Sequence, residues 1–264
     1  MRLALISDIH GNRPALDAVL AHIKAEAAVD ATYHLGDLVG YGPWPNEVIV
    51  TLRDAQIPGV AGNYDSTVAT GYKHCGCRSE SASQEELAHR SFSWTLAHIS
   101  EESKRFLHAL PFRLDVRPLG GHCAGPTVRL LHGGAQLNTV YVTEDRPDDF
   151  LKTMADALGA KPGDAICFGH THLPWQRAVG GVLFVNTGSV GRPKDGDPRA
   201  GYMVLEITET DVSAELARVE YDVEEAARAI VASALPNEFA GFLRTGGKAS
   251  ASTAAGTIST GTGR

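Results

Sequence analysis

Five short stretches of this chain each run into side chains that bind hard or borderline metal ions. Leu3–Ile6 leads to Asp8 and His10 in SDIHGN, and the segment around Tyr33–Leu35 ends at Asp37 in HLGDLVG. Pro58–Ala61 precedes Asn63 in AGNYD, Thr127–His132 closes on His132 in LLHGG, and Ala165–Phe168 leads to His170 and His172 in GHTHLPW. Apolar runs of this length between Gly, Pro, Asn and Asp read as short buried strands. Ligands of α/β sheets gather outside the carboxyl ends of strands. Two residues apart in an extended segment, His170 and His172 point to the same side. The chain must therefore fold so that seven donors on five strand ends meet.

Between these strands the pattern is helical. Asn12-Arg13-Pro14 opens a helix with proline in its first turn, and Leu16, Val19, Leu20 and Ile23 form its apolar stripe. Further helices are expected over 46–55, 84–98, 101–110 and 147–158, the last with Asp148 and Asp149 at its positive end. Strands are expected at 176–179 and 182–185, followed by a hairpin of 202–208 with 212–221. Asp222 and Glu225 read as a capping box for a helix over 223–235. Strands alternate with helices early and run as hairpins late, which predicts a mixed-sheet α/β domain. That domain spans 1–244, with a helical and loop insertion at about 64–126. Residues 245–264 contain five Thr, five Gly, four Ala, three Ser and one large aliphatic, Ile258. Such a segment buries too little apolar surface to offset its ordering entropy, so it reads as a disordered tail.

Composition narrows the function. Lys and Arg number 24 against 31 Asp and Glu, a net charge of −7, which argues against broad nucleic-acid binding. A small phosphorylated substrate remains compatible, because a bound cation reverses the local field. No apolar stretch approaches a membrane span, and the N-terminus lacks a signal-peptide pattern. Four cysteines in 264 residues do not form a disulfide scaffold, so a cytoplasmic protein with free thiols is expected. Carboxylate, imidazole and amide oxygen suit manganese, iron(II) or zinc. Seven donors exceed one tetrahedral site and suit two ions sharing a carboxylate, for which Asp37 is the natural bridge.

Taken together, SDIHGN, HLGDLVGYGPWPNE, GNYD, LLHGG, FGHTHLP and NTGSVGRPKDGDPRAGY resemble the calcineurin-like metallophosphoesterases. The likeness is to the small bacterial and archaeal branch labelled phosphodiesterase or dinucleoside-polyphosphate phosphatase, over residues 1–220. It implies a four-layer α-β-β-α sandwich of two mixed sheets flanked by helices. It also implies two divalent ions, manganese or iron and alternatively zinc. One would be held by Asp8, His10, Asp37 and His172, the other by Asp37, Asn63, His132 and His170. The implied activity is hydrolysis of phosphate mono- or diesters or anhydrides by a metal-bridging hydroxide, with Asp37, Asn63, Tyr64 and His132 as catalytic candidates. Dinucleoside-polyphosphate hydrolase and protein phosphatase belong to the same class; a metal-binding scaffold is the reading of a different class.

One position departs from the family pattern. Tyr64 stands where a histidine usually follows the motif asparagine, and is expected to position phosphate oxygens rather than donate a proton. His74 is the alternative acid. Asn12 and Arg13, at a helix start beside the ligands, are further substrate-binding candidates, and Arg192 or Arg199 are candidates for a distal phosphate. His22, His34, His89, His98, His108 and His122 are expected to be structural. His74-Cys75-Gly76-Cys77 with His122-Cys123 has a soft-metal alternative, but is expected to be a loop with two thiols.

Overall fold

A computed structural model describes residues 1–77, 81–118 and 125–248. The chain opens with β1 (Arg2–Ile6), α1 (Arg13–His22), a π-helical turn, β2 (Ala31–His34) and α2 (Pro45–Asp54). Three helices follow: α3 (Asn63–Thr70), α4 (Ala82–His98) and α5 (Glu101–Ala109). Next come β3 (Arg113–Val116), β4 (Val128–Leu131), α6 (Asp148–Leu158), β5 (Ala165–Phe168), β6 (Trp175–Val179) and β7 (Val182–Asn186). The hairpin β8 (Ala200–Ile207) and β9 (Val212–Val219) precedes α7 (Val223–Ala232) and α8 (Glu238–Arg244).

The strands form two mixed sheets, ordered β2-β1-β8-β9 and β3-β4-β5-β7-β6. β1 pairs parallel with β2 and antiparallel with β8. β5 runs parallel to both β4 and β7. Alternation along β1 assigns the layers. Leu3 and Leu5 meet Leu130, Cys167 and Val185 of the other sheet, while Ala4 and Ile6 pack with Leu16 and Val19 of α1. On the far side of the second sheet, Ile166 and Phe168 pack on Leu151 and Met154 of α6. The result is four layers, helix–sheet–sheet–helix. The inner strands β1, β4 and β5 are buried on both faces, which is why β1 and β5 read as continuous apolar runs.

Local signals set the helix ends. Asn12 Oδ1 accepts from the Ala15 amide ahead of Pro14, and Asp222 Oδ1 accepts from Glu225 N at the start of α7.

Several boundaries differ from expectation. Pro58–Ala61 is no strand; a single parallel bridge joins His34 to Gly59. Asn63 opens α3 instead of ending a strand-loop segment. Arg113–Val116, placed by sequence inside an insertion, is an edge strand paired with β4. The helix expected over 223–235 stops at Ala232, and α8 follows it. Thr245–Lys248, read as the start of a structureless tail, forms a turn against the Pro193–Gly196 loop, with Gly196 N donating to Gly246 O (2.9 Å). Residues 249–264 lie outside the described residues.

Candidate metal centre

The donors converge at the carboxyl ends of β1, β2, β4 and β5 and at the start of α3. Asp8, His10 and His172 form one buried group; Asp37, His132 and His170 form a second. Asp37 stands between them, its Oδ2 3.7 Å from His10 Nε2 and 3.5 Å from His132 Nε2. Asn63 Oδ1 lies 3.0 Å from His132 Nε2. All seven donors are at most 4% exposed. Two glycines make room: a Cβ at Gly62 would collide with the Asp37 carboxylate, and one at Gly169 with Ser7 and Asp8.

Backbone carbonyls set the tautomers of three imidazoles. Nδ1 of His10 donates to Val39 O (2.9 Å), that of His132 to Leu35 O (2.7 Å), and that of His172 to Arg192 O (2.6 Å). A carbonyl only accepts, so each Nδ1 carries a proton and each Nε2 faces the site. Ser7 Oγ and the His170 amide both donate to Asp8 Oδ2 (2.7 and 3.0 Å), and Tyr64 N donates to Asp37 Oδ1 (2.9 Å). Asp65 supports the arrangement, accepting from Leu38 N and Gly62 N (2.9 Å each). It was legible in GNYD, but as one of several acidic residues it carried no signal of its own.

These residues fit a pair of cations. Burial lowers the pKa of His10 to about 4 and of His170 to about 3, and pushes His172 well below its usual value. The first and third are thus neutral rings whose Nε2 atoms oppose each other at 3.1 Å. Two lone pairs at that separation suit a cation between them. Asp8 Oδ1, beside both rings at 3.8 and 3.3 Å, is buried without a hydrogen bond, and burial pushes its carboxyl up to about 7. In the second group burial opposes charge on both partners, but the Asp37–His132 attraction prevails. It holds Asp37 below the carboxylate range and raises His132 to about 9. Strain marks the same positions. Asp8, His10, Asp37, His170 and His172 have φ of 52°, 51°, 53°, 69° and 62°, a region that costs a non-glycine residue about 1–2 kcal/mol.

Other expected site residues fall elsewhere. Tyr64 is fully buried, its ring edge-on to His10 (5.7 Å) and its hydroxyl directed at Ala88 O. It packs against His10 and is not among the residues that line the cavity, where it was expected to position phosphate oxygens. Asn12 is engaged by Ala15, Gly191 and Tyr221. Arg13 pairs with Asp17 at the surface, and Arg199 with Asp197. His74 is exposed and accepts from Gly76 N, so it too lies off the site. His22, His34, His89, His98 and His108 line no part of the cavity over the donors. Cys75 and Cys77 are joined by a disulfide where two thiols were expected. Their loop borders the site, Asn63 Nδ2 donating to Cys75 O (2.8 Å). His122 and Cys123, with the soft-metal alternative, lie outside the described residues.

The cavity over the donors measures about 430 Å³, with His10, Asp37, His170 and His172 at its floor. Tyr41, Tyr141, Arg192, Lys194, Phe239 and Phe242 stand in its walls. Sequence reading missed these rings because Phe239 and Phe242 lie on a helix far along the chain from every donor.

Residues 1–210 match the family model described as the calcineurin-like phosphoesterase superfamily domain. An uncharacterized protein of Methanocaldococcus jannaschii is 32% identical over 251 residues, covering 89% of this chain and 93% of that one. Phosphodiesterase YfcE of Escherichia coli is 26% identical, covering 78% and 88%. The crystal structure of a metallophosphoesterase from Sphaerobacter thermophilus superposes with a TM-score of 0.70 at 26% identity, over 93% of this chain and 99% of that one. With the two sheets, the flanking helices and the paired donor groups, these likenesses place the chain in the calcineurin-like phosphoesterase superfamily, as a metallophosphoesterase.

Proposed function

We propose that the protein hydrolyses small phosphate mono- or diesters, or phosphoanhydrides, with two divalent ions, manganese or iron, bridged by Asp37. The supporting observation is the position of Asp37 Oδ2 between the two donor groups, within 3.7 Å of an imidazole nitrogen of each. Asp8, His10 and His172 would hold one ion; Asn63, His132 and His170 would hold the other. When bound, such a pair supplies Lewis acidity toward phosphoryl oxygens and a lowered pKa for water. The chain's own contribution is orientation. Carbonyls of Leu35, Val39 and Arg192 accept from the Nδ1 atoms of three imidazoles and so aim their Nε2 atoms inward. Neither Tyr64 nor His74 reaches the cavity, so neither delivers the leaving-group proton.

The test is a panel of nitrophenyl phosphate monoesters and diesters and dinucleoside polyphosphates, each assayed with manganese, iron and zinc. Metal-dependent turnover of at least one class is expected. Protein carrying two equivalents of metal and hydrolysing none of them would favour the scaffold reading.

A further inference from the structure

Arg192 is held unlike Arg199 and Arg218, which lie near its loop. Arg199 and Arg218 pair with Asp197 and Asp195, whereas no carboxylate pairs with Arg192 among the described residues. Its guanidinium instead sits among three rings, 4.1 Å from the centroid of Tyr41, 5.5 Å from Phe239 and 5.7 Å from Phe242. Its Nε is buried without a hydrogen-bond partner. A guanidinium stays protonated at any working pH and matches phosphate oxygens bidentately. Stacked between rings, it has already lost the rotamer freedom that binding would otherwise cost. Aromatic faces attract the cation but offer it no hydrogen-bond acceptors. The donors that face the cavity therefore call for an anion.

Position tells which anion. The backbone carbonyl of Arg192 orients His172, so the residue belongs to the wall of the metal centre. The guanidinium lies against the Tyr41 ring (4.1 Å), which is itself edge-on to His10 (4.9 Å). The guanidinium's contacts are with the three rings. Such a place in the wall suits the group next to the one held at the donors. Lys194 lines the same wall and adds positive charge. A cavity of about 430 Å³ lies in the range of small-molecule sites and exceeds the needs of one phosphate.

We propose that Arg192 is the subsite residue for a second anionic group of the substrate, so that phosphoanhydrides and phosphate esters bearing a second phosphoryl are preferred. This rests on the phosphohydrolase reading of the metal centre. Two of the three rings that hold Arg192 come from α8, beyond the residues 1–210 that match the family domain. The preference is therefore built by this chain's C-terminal segment.

The test titrates the full-length, manganese-loaded protein calorimetrically with methylphosphonate and with methylenebisphosphonate, with manganese in excess over either probe. Wild type is expected to bind the bisphosphonate about 10- to 100-fold more tightly, the worth of a hydrogen bond to a charged group. Arg192→Met should lose most of that ratio, and Arg192→Lys should keep part of it. Metal content and the far-ultraviolet spectrum, measured on each variant, separate this from misfolding. An unchanged ratio in Arg192→Met overturns the proposal. So does an equal loss for both probes, which would put Arg192 on the scissile phosphoryl, and so does failure of wild type to distinguish the probes. If wild type instead hydrolyses no phosphoester, the phosphohydrolase reading fails, while the titration still reports on Arg192.

Discussion

At the scale of single residues, the site consists of donors that the backbone holds at some cost. Five donors in left-handed conformations lie on the turns that leave their strands, and the packed turns around them hold that strain. Asp37 has the greatest leverage, because it faces both donor groups. Asp37→Asn is expected to reduce bound metal from two equivalents to one or fewer and to lower kcat/KM at least about a hundredfold. Metal analysis and steady-state kinetics check this; two equivalents with near-wild-type rate would remove the bridge. Tyr64 carries the opposite expectation. As the second residue of α3 it is rotated about 100° from Asn63, which turns its ring into the core behind His10. Tyr64→Phe should leave turnover within about threefold and cost about 1 kcal/mol through a lost hydrogen bond. A large kinetic loss with intact stability would return Tyr64 to the site. The two cases show what was legible. The ligand types and their strand-end placement stood in the sequence, whereas the direction of Tyr64 depended on a helix start that Gly62-Asn63 does not announce.

At the scale of elements, apolar runs gave the inner strands and periodic stripes gave α1, α2 and α6. The edges were harder. β3 has no buried residue in its four positions, so it lacks the apolar run that marks its neighbours. α8 is seven residues long, and its apolar residues find their partners on α7 and in the Trp44 region rather than in any local pattern. One element junction depends on a buried ion pair. Arg129 of β4 donates to Asp164 (2.8 Å) and to the Leu158 and Gly159 carbonyls that end α6. Asp164 also accepts from Thr127 N and Lys161 N. Burial opposes its charge, but these two amides and Arg129 together hold its pKa below the usual range. The carboxylate therefore stabilises the fold fully above its unfolded pKa of about 4, and this contribution is lost as pH falls through the lower folded value. Asp164→Asn is expected to cost about 3 kcal/mol at pH 7, since it leaves Arg129 buried without its counter-charge. The deficit relative to wild type should shrink below about pH 4. Urea unfolding at pH 7 and pH 3 checks both; a deficit independent of pH would mean that the carboxylate's charge is not what matters.

At the scale of the whole molecule, the C-terminal segment joins stability to the site. Buried strands such as Leu3–Ile6 do not say which face meets which layer, so the four-layer order became visible only from packing. Nor does composition reveal that residues just past Arg244 are engaged. α7 and α8 close a separate apolar cluster in which Phe239 and Leu243 pack near Tyr41, Trp44, Leu87 and Trp94. Beyond α8, the turn through Lys248 is tied to the Pro193–Gly196 loop that follows Arg192. Two truncations separate these contributions. Ending the chain after Lys248 removes a stretch rich in Ala, Ser, Thr and Gly whose one large aliphatic is Ile258. Stability should change by less than about 0.5 kcal/mol, with the kinetics unaltered. Ending it after Asn237 removes Phe239, Phe242 and Leu243 together. Loss of one such buried phenylalanine costs about 3–5 kcal/mol, so the urea midpoint should fall sharply. The seven donors and both sheets remain, so two equivalents of metal should still bind below the transition. What should change is KM, because the wall that holds Arg192 would lose two of its three rings. A shortened chain that keeps wild-type KM would show that α8 stabilises the fold without shaping the site. One that loses its metal would show that the donor groups themselves depend on the C-terminal cluster.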